Sequence, residues 1–443
     1  MKDKVYKQAI DIPLRYTTDV VVAGGGMTGV CAAIAAAEMG AEVILVERNG
    51  KCGGNFTSSL VSSFCGYHTV VNGEESLICS GLGERILSHL IKEDSLGKPI
   101  YHFRSNVPYI PFDVPALTGI ADEMLVKAKV KVMYHQLVSD VVIEDNRISS
   151  VIVTEKGSQY AINCKTVIDC TGDGDVAFKS GVPVLSDGEH IQFPTLGFHL
   201  SGVDFDEALK ISKKDLGELL AKAKQAGEYD FPRLDGTLVP LPRKGMMYAN
   251  VGLLIIEGRP VNTMSSEDIS FGQIEGRRQA FMYTDFFRKH VPGYKNAYIS
   301  RFPDFIGVRE TRRMKGCHVL TKEDFMAARK FRDGIACSSW PLELHRAEST
   351  DWVNLPLGEY LEVPLRCLIP EEVENLFFAG RCLSADQEAH AAVRCGSPCM
   401  AMGEAAGICA AKLSKTSGKA QELDGFAVRN TMKERGAYFI KDV

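Results

Sequence analysis

Three groups of residues have the types and spacing that chemistry needs. The first is Gly24-x-Gly26-x-x-Gly29, with Glu47 eighteen residues beyond its last glycine. Such a turn lets backbone approach a pyrophosphate, and a carboxylate at that distance suits a ribose 2′-hydroxyl. The second is Gly307-Val308-Arg309-Glu310-Thr311-Arg312-Arg313, with three arginines in five positions, followed by His345-Arg346 and Arg366. Guanidinium groups grip carboxylate or phosphate bidentately, so the cluster suits an anionic substrate. Its alternative is structural: ion pairs with Glu310, or contact with a cofactor. On a helix, at most two of the three arginines would point the same way. The third group is His390 and Arg394, which project side by side from a helix at this spacing. A histidine there can carry a proton near pH 7 or simply hydrogen-bond a loop. His345, next to Glu343, is a second proton-carrying candidate, while Tyr248 and Tyr283 read as packing residues.

These residues need elements to position them. Val20–Ala23 is a continuous apolar run, the pattern of a strand buried on both faces. The glycine turn follows, then an Ala-rich helical stretch from Val30 to Met39 closed by Gly40, then a second apolar run from Glu42 to Val46. This is one βαβ unit, so the glycines and Glu47 stand where a dinucleotide needs them. Arg48 to His68 reads as an extended loop. Helices are predicted over Leu77–Ile91 and Leu117–Ala128. Strands are predicted over Lys131–His135, Leu137–Ile143, Arg147–Glu155 and Gln159–Ile162 as a small antiparallel meander, and over Thr166–Cys170. From about Phe193 to Leu361 the texture changes to mixed helices and aromatic stretches, with a strand at Val251–Ile256 and a helix at Ile269–His290. The buried-strand pattern returns at Asn375–Gly380, ahead of a second Ala-rich helix over Pro398–Leu413. Ser417–Val443 reads as a surface helix and tail.

Composition bounds the function. The chain has 443 residues, with 51 basic against 56 acidic side chains and a net charge of −5. A nucleic-acid binder is therefore disfavoured, because phosphate neutralisation needs a basic surface. Thirteen cysteines with no C-x-x-C spacing leave zinc ribbons, dithiol sites and iron–sulfur runs without their signatures, and no metal site is expected. Thiols scattered in apolar stretches fit a reducing, cytoplasmic setting. No membrane span is expected, since the longest apolar segment, Val30–Val46, is broken by Glu38 and Glu42. The stretch from Met1 to Leu14 has no signal-peptide core.

Glu47 disfavours a 2′-phosphate and hence NADP. Gly53-Gly54, the strand ending in Thr171-Gly172-Asp173, and the closing segment Phe377-Phe378-Ala379-Gly380-Arg381 before a helix favour FAD over NAD. Five segments carry a family resemblance: VVVAGGGMTG, VERNGKCGGN, TVIDCTGDGD, FIGVRETRRM and NLFFAGRCLSADQEAHAAVRCGSPCMAMGEAAG. They run from Val20 to Gly407, and the chain resembles the FAD-dependent oxidoreductases with a glutathione-reductase-like FAD domain. Among these it is most similar to the branch of fumarate reductase and succinate dehydrogenase flavoproteins. The resemblance implies that Gly24, Gly26 and Gly29, with Thr28 at the helix start, hold the pyrophosphate. Glu47 would hold the adenosine ribose and Arg48 would flank the adenine, which Val138 meets through its backbone. Gly53, Gly54 and Asn55 would line the approach to the isoalloxazine. Gly172, Asp173, Gly380 and Arg381 would lie near the pyrophosphate. The helix start at Ser397, Cys399 and Met400 would aim its N–H groups at the flavin pyrimidine edge. His68 and Cys65 could form a covalent flavin link, or be ordinary loop residues.

The expected architecture is α/β. Residues 15–189 and 365–416 form a discontinuous Rossmann-like FAD-binding domain with a parallel sheet and antiparallel meander. Residues 190–364 form an inserted α+β cap over the substrate, and 417–443 a tail. The expected activity is hydride transfer between FAD and a small, carboxylate-bearing substrate, with His390, Arg394, Arg309, Arg312 and His345 as catalytic candidates. No second GxGxxG and no C-x4-C dithiol is present, so hydride comes from the substrate itself, a transiently bound donor or a partner protein, and the electron donor or acceptor is unidentified. Two rival readings fit the same residues. One is a FAD-fold protein without net redox turnover, either thiazole-synthase-like or a cofactor-binding regulator. The other is an electron-transfer subunit that needs a protein partner.

Overall fold

The computed structural model describes residues 6, 9–71, 73–101, 104–186, 191–347 and 350–440. The βαβ unit is present as β1 (Leu14–Ala23), α1 (Met27–Glu38) and β2 (Val43–Glu47), with β1 and β2 parallel from Val20↔Val43 to Ala23↔Val46. After α2 (Leu82–Lys92) and α3 (Val114–Lys127), β3 (Lys131–Tyr134) joins the outer edge of β2. This corrects its place in the meander: β3 runs parallel to β2 because α3 returns the chain across the sheet.

The meander proper is β4 (Leu137–Glu144), β5 (Arg147–Glu155) and β6 (Ser158–Asp169). Sequence spacing predicts two strands where β6 is one. Asn163 and Lys165 lie on its exposed face while Cys164 and Thr166 point inward, so the alternation carries pairing straight through. The first half of β6 pairs antiparallel with β5, and β1 runs parallel along its length.

The central region builds its own antiparallel sheet from β7 (Phe198–Ser201), β8 (Thr237–Pro240), β9 (Met247–Asn250) and β10 (Tyr298–Arg301), in the order β8-β9-β7-β10. The helices α4 (Lys213–Gln225) and α5 (Ser266–His290) pack with it around Phe198, Phe231, Tyr283, Phe286 and Phe287. The strand expected over Val251–Ile256 is largely irregular. The Gln279 side chain satisfies both the N–H and the C=O of Leu253, which removes the need for a strand partner there.

Two hairpin-like pairs follow: β11 (Gly334–Ser338) with β14 (Leu361–Pro364), and β12 (Leu342–His345) with β13 (Thr350–Val353). Ile335, Cys337, Leu361 and Val363 share one apolar core with α1 and with α7 (Gly396–Leu413). Then β15 (Leu376–Phe378) docks parallel to the second half of β6, returning the chain to the first sheet. The short helix α6 (Gln387–Val393) leads into α7. α7 crosses α1 so closely that a Cβ on Gly403 would lie 2.1 Å from the Thr28 carbonyl oxygen. Only glycine permits that approach.

The expected C-terminal helix is present and packs by one face. α8 (Gly425–Glu434) buries Val428 and Met432, and its Arg429 forms a buried ion pair with Glu362 at 3.0 Å. Beyond it, Ser80 and Ile440 donate backbone hydrogen bonds to Tyr438 and Ile78 respectively. The sequence-based boundary between residues 189 and 190, and the last three residues of the tail, lie outside the described residues. Among the described residues no helix is long and apolar enough to cross a membrane, and no cluster of His, Cys, Asp or Glu could hold a metal ion.

Candidate active site

A cavity of about 330 Å³ runs from the glycine turn to the inner face of the central sheet. At one end the turn between β1 and α1 fixes its shape. A Cβ on Gly29 would sit 1.9 Å from the Gly24 carbonyl oxygen, whereas one on Gly26 would meet nothing within 4 Å. Gly29 is thus a packing requirement, and Gly26 keeps space clear for a ligand. Glu47 closes the same end, accepting from the backbone N–H of Gly25 at 2.6 Å and of Asn49 at 2.7 Å. Both α1 and α7 begin on this cavity with no side-chain cap, so their first-turn N–H groups and dipoles face it. Asp173 is gripped by Arg381 at 2.8 Å and approached by Arg48 at 3.9 Å. Burial alone would raise its pKa, but the two guanidinium groups overcome that and hold it low. An open glycine, N–H donors at two bare helix starts and a carboxylate acceptor at the strand end together fit a dinucleotide.

At the other end β12 delivers Glu343 and His345, α6 ends at Arg394, and the loop after β10 brings Arg309. Glu343 accepts from Trp340 Nε1 at 3.0 Å and from His345 Nε2 at 2.9 Å. Burial would raise its carboxyl, yet His345, Arg394 and the Trp340 bond hold it well below the ordinary range. Burial pushes His345 down to about 3, helped by Arg309 and opposed by Glu343, so the ring is neutral. Its Nδ1 faces the Thr350 hydroxyl at 3.3 Å. Arg309 donates to the Phe193 carbonyl at 2.7 Å and the Thr195 hydroxyl at 2.9 Å. No carboxylate among the described residues pairs with it, and burial, Arg233 and Arg394 push its pKa down to about 9. Among the described residues the Arg394 side chain bonds Gln192 and the Glu343 carbonyl.

The chain matches the family described as FAD dependent oxidoreductase over residues 19–432. It belongs to that family. Its cofactor is FAD, and the protein is an enzyme of the oxidoreductase class. Digoxin reductase of Eggerthella lenta is 42% identical over 64 residues, which is 14% of this chain and 10% of that protein. The chain thus spans about a tenth of that relative's length. A geranylgeranyl bacteriochlorophyll reductase-like structure from Thermoplasma acidophilum is 14% identical, covering 95% of this chain and 83% of that one, with a TM-score of 0.45. The L-proline dehydrogenase of P. horikoshii is 13% identical, covering 95% and 99%, with a TM-score of 0.41.

For this FAD-dependent oxidoreductase, the structure sorts the expected site residues. Gly24, Gly26, Thr28, Glu47 and Arg48 are on the cavity wall, as are Gly53, Gly54, Asn55 and Val138. Gly172, Arg381 and Cys399 line it too. Gly29, Asp173, Gly380, Ser397 and Met400 stand behind the wall: Met400 accepts a long bond from Tyr67, and Gly380, at φ +87°, packs on Thr28. Of the catalytic candidates, Arg309, Arg394 and His345 converge on the cavity. His390 does not. It is fully buried, and its Nε2 donates to the Arg381 carbonyl at 2.7 Å, because α6 turns it toward the loop after β15. Burial pushes its pKa far down, so it is neutral there. Arg312 points away as well, pairing with Asp175 at 2.6 Å and lying over the Phe178 ring. The segment around Arg309 is not helical, so Arg309, Arg312 and Arg313 diverge, and Arg313 pairs with Glu310. Arg346 and Arg366 pair at the surface with Asp351 and Asp333. Cys65 lines the cavity as a thiol whose pKa burial raises strongly, whereas His68 is absent from the wall.

Sequence reasoning missed Lys213, Arg233, Asp235, Tyr248, Trp340, Thr350 and Trp352 on this wall. Trp340, two residues before β12, and Tyr248, assigned to packing, had alternation as their only signal. Lys213 and Arg233 come from the central region, where no motif marks them.

Proposed function

We propose that this enzyme exchanges a hydride between a small carboxylate-bearing substrate and bound FAD, which supplies the two-electron chemistry. Arg309, Arg394 and Arg233 hold the anion at the basic end of the cavity. The observation that carries this reading is Arg309, a guanidinium on the cavity wall with no carboxylate partner among the described residues and two other arginines pressing on it. A charge placed so is costly until an anion arrives. His345, fixed by Glu343 on one ring nitrogen and Thr350 on the other, takes the accompanying proton at Nδ1 once the bound carboxylate neutralises Arg309, one of the groups that keep the ring uncharged in the empty cavity. His390 and Arg312 act instead by holding the cofactor-side loop and Asp175.

The division of the chain belongs to the same proposal. Residues 15–189 and 365–416 carry the cofactor, and the central region closes over the substrate. The shared core supports giving β11 to β14 to the cofactor half, which leaves residues 191–308 as the cap. A separate electron donor or acceptor completes the cycle. A cytoplasmic setting is supported by cysteines that sit as buried, uncharged core residues.

The test is anaerobic flavin absorbance on the FAD-loaded protein. Hydroxy acids and amino acids are offered to oxidised flavin and enoates to reduced flavin, with neutral sugars and alcohols beside them. At least one class of carboxylic acid is expected to change the flavin's redox state. If neutral sugars do so and no acid does, the arginine clamp is wrong.

A further inference from the structure

The basic end of the cavity is also its aromatic end. Tyr109, Tyr248, Trp340 and Trp352 line it, and they belong to one apolar cluster with Val239, Cys65 and Cys395. The Trp340 and Trp352 rings meet edge to face with centroids 6.1 Å apart. The Trp340 N–H is already bound to Glu343, so its remaining ring surface is hydrocarbon. Both thiols have pKa values raised by burial and add uncharged, polarisable surface. Aromatic walls of this kind take either a cation or a flat π-system, and the surrounding charge decides between them.

That charge is one-sided. Lys213, Arg233, Arg309 and Arg394 face this end of the cavity against two carboxylates, Asp235 and Glu343. Neither carboxylate is spare. Asp235 is bound by Arg233 at 2.6 Å and approached by Arg104 at 3.8 Å. Glu343 spends one oxygen on His345 and the other on Trp340. On the cationic side, two guanidinium nitrogens, Arg233 Nη1 and Arg394 Nε, have no hydrogen-bond partner among the described residues. An arriving ammonium would meet four cations and no vacant acceptor charge.

We infer that the substrate is an aryl or similarly flat conjugated acid that carries no ammonium group, so that α-amino acids are excluded from this cavity. The inference rests on the arginine clamp proposed above and adds two features to it: the π-face and the rejection of a positive charge.

The chain's only two tryptophans, Trp340 and Trp352, both stand on this wall, so intrinsic fluorescence reports occupancy directly. The experiment titrates the FAD-loaded protein with 3-phenylpropanoate, phenylalanine, 3-cyclohexylpropanoate and 3-phenylpropan-1-ol, with calorimetry as a second readout. The first two differ at the α-carbon only by the ammonium group. The phenyl acid is expected to quench the tryptophans, with phenylalanine at least about a hundredfold weaker because of like-charge repulsion. The cyclohexyl acid is expected to be about fivefold weaker than the phenyl acid for want of ring–ring contacts. Phenylalanine binding within about threefold of its des-amino partner overturns the inference, as does a cyclohexyl acid that binds equally well, or no binding of the phenyl acid at its solubility limit. If the phenyl alcohol matches the acid, the clamp itself fails, a separate result from the loss of amino-acid exclusion.

Discussion

Glu343 holds His345 through a 2.9 Å contact to Nε2, which leaves Nδ1 as the ring's acceptor, facing the Thr350 hydroxyl. The carboxylate fixes the tautomer, and the position of the acid two residues earlier on the same strand fixes the ring plane. Replacing His345 by Gln keeps a polar side chain but removes the exchangeable ring nitrogen. Turnover is expected to fall about a hundredfold, with FAD content unchanged and substrate affinity within about threefold. A variant with normal kcat would remove His345 from the chemistry.

Arg309 makes opposite predictions for binding and for folding. Arg309→Gln deletes a buried charge that no carboxylate among the described residues pairs with, so the melting temperature is expected to hold or rise. Affinity for a carboxylate ligand is expected to fall by at least about tenfold, the worth of one charge-assisted hydrogen bond. A variant that melts earlier and binds anions as before would contradict both halves.

Lys213 gives the pH dependence. Burial, and then Arg233, lower its pKa to about 8 from an ordinary 10.5. As pH rises through about 8 the cavity loses a positive charge, so anion affinity should decline there. Folding responds the other way: between about 8 and 10.5 the unfolded chain binds more protons than the folded one, so this residue's contribution to stability grows with pH. Lys213→Met should flatten both trends. Titration calorimetry from pH 6.5 to 9.5 reads the first, and thermal melts over the same span read the second.

Gly26 and Gly29 should separate cofactor binding from folding. Gly26→Ala places a methyl in open space, so the apoprotein should melt normally while FAD binding weakens sharply. Gly29→Ala drives a methyl into the Gly24 carbonyl and should cost the fold itself about 1–3 kcal/mol or more. Apoprotein melts and FAD titration, run on both variants, give the comparison. Equal behaviour of the two would refute the distinction.

The ion pair between Arg429 and Glu362 ties α8 to the β11–β14 pair, with both side chains almost wholly buried. Arg429→Leu leaves Glu362 uncompensated and should destabilise by about 3–5 kcal/mol, seen as an early melt. The double change with Glu362→Leu should recover much of it. If the double variant is no better than the single one, packing around Arg429 matters more than its charge.

The cofactor end was legible in the sequence because local spacing fixes it: strand, glycine turn, helix and terminal carboxylate follow one another within the βαβ unit. The substrate end was not. Arg309 and Arg394 were visible as residue types, but their divergence from Arg312 and His390 depends on irregular backbone and on the rotation of a short helix. Lys213, Arg233 and Trp352 reach the cavity through tertiary packing of separate elements, which leaves no periodic trace. The strand expected at Val251–Ile256 failed for a similar reason, since a remote side chain, Gln279, satisfied the backbone. The C-terminal helix is present as expected, but the packing of its inner face left little trace because its anchoring residue, Arg429, is a charged one.

The sheet that begins with β1 is completed only by β15, and α1 finds its partner helix only in α7. During synthesis, a ribosome adding about 5–20 residues per second spends tens of seconds between those pieces. Throughout that interval the glycine turn hangs on a half-built sheet, its helix face bare. Flavin capture therefore waits for a nearly complete chain, because the two uncapped helix starts that face the cavity lie at opposite ends of it.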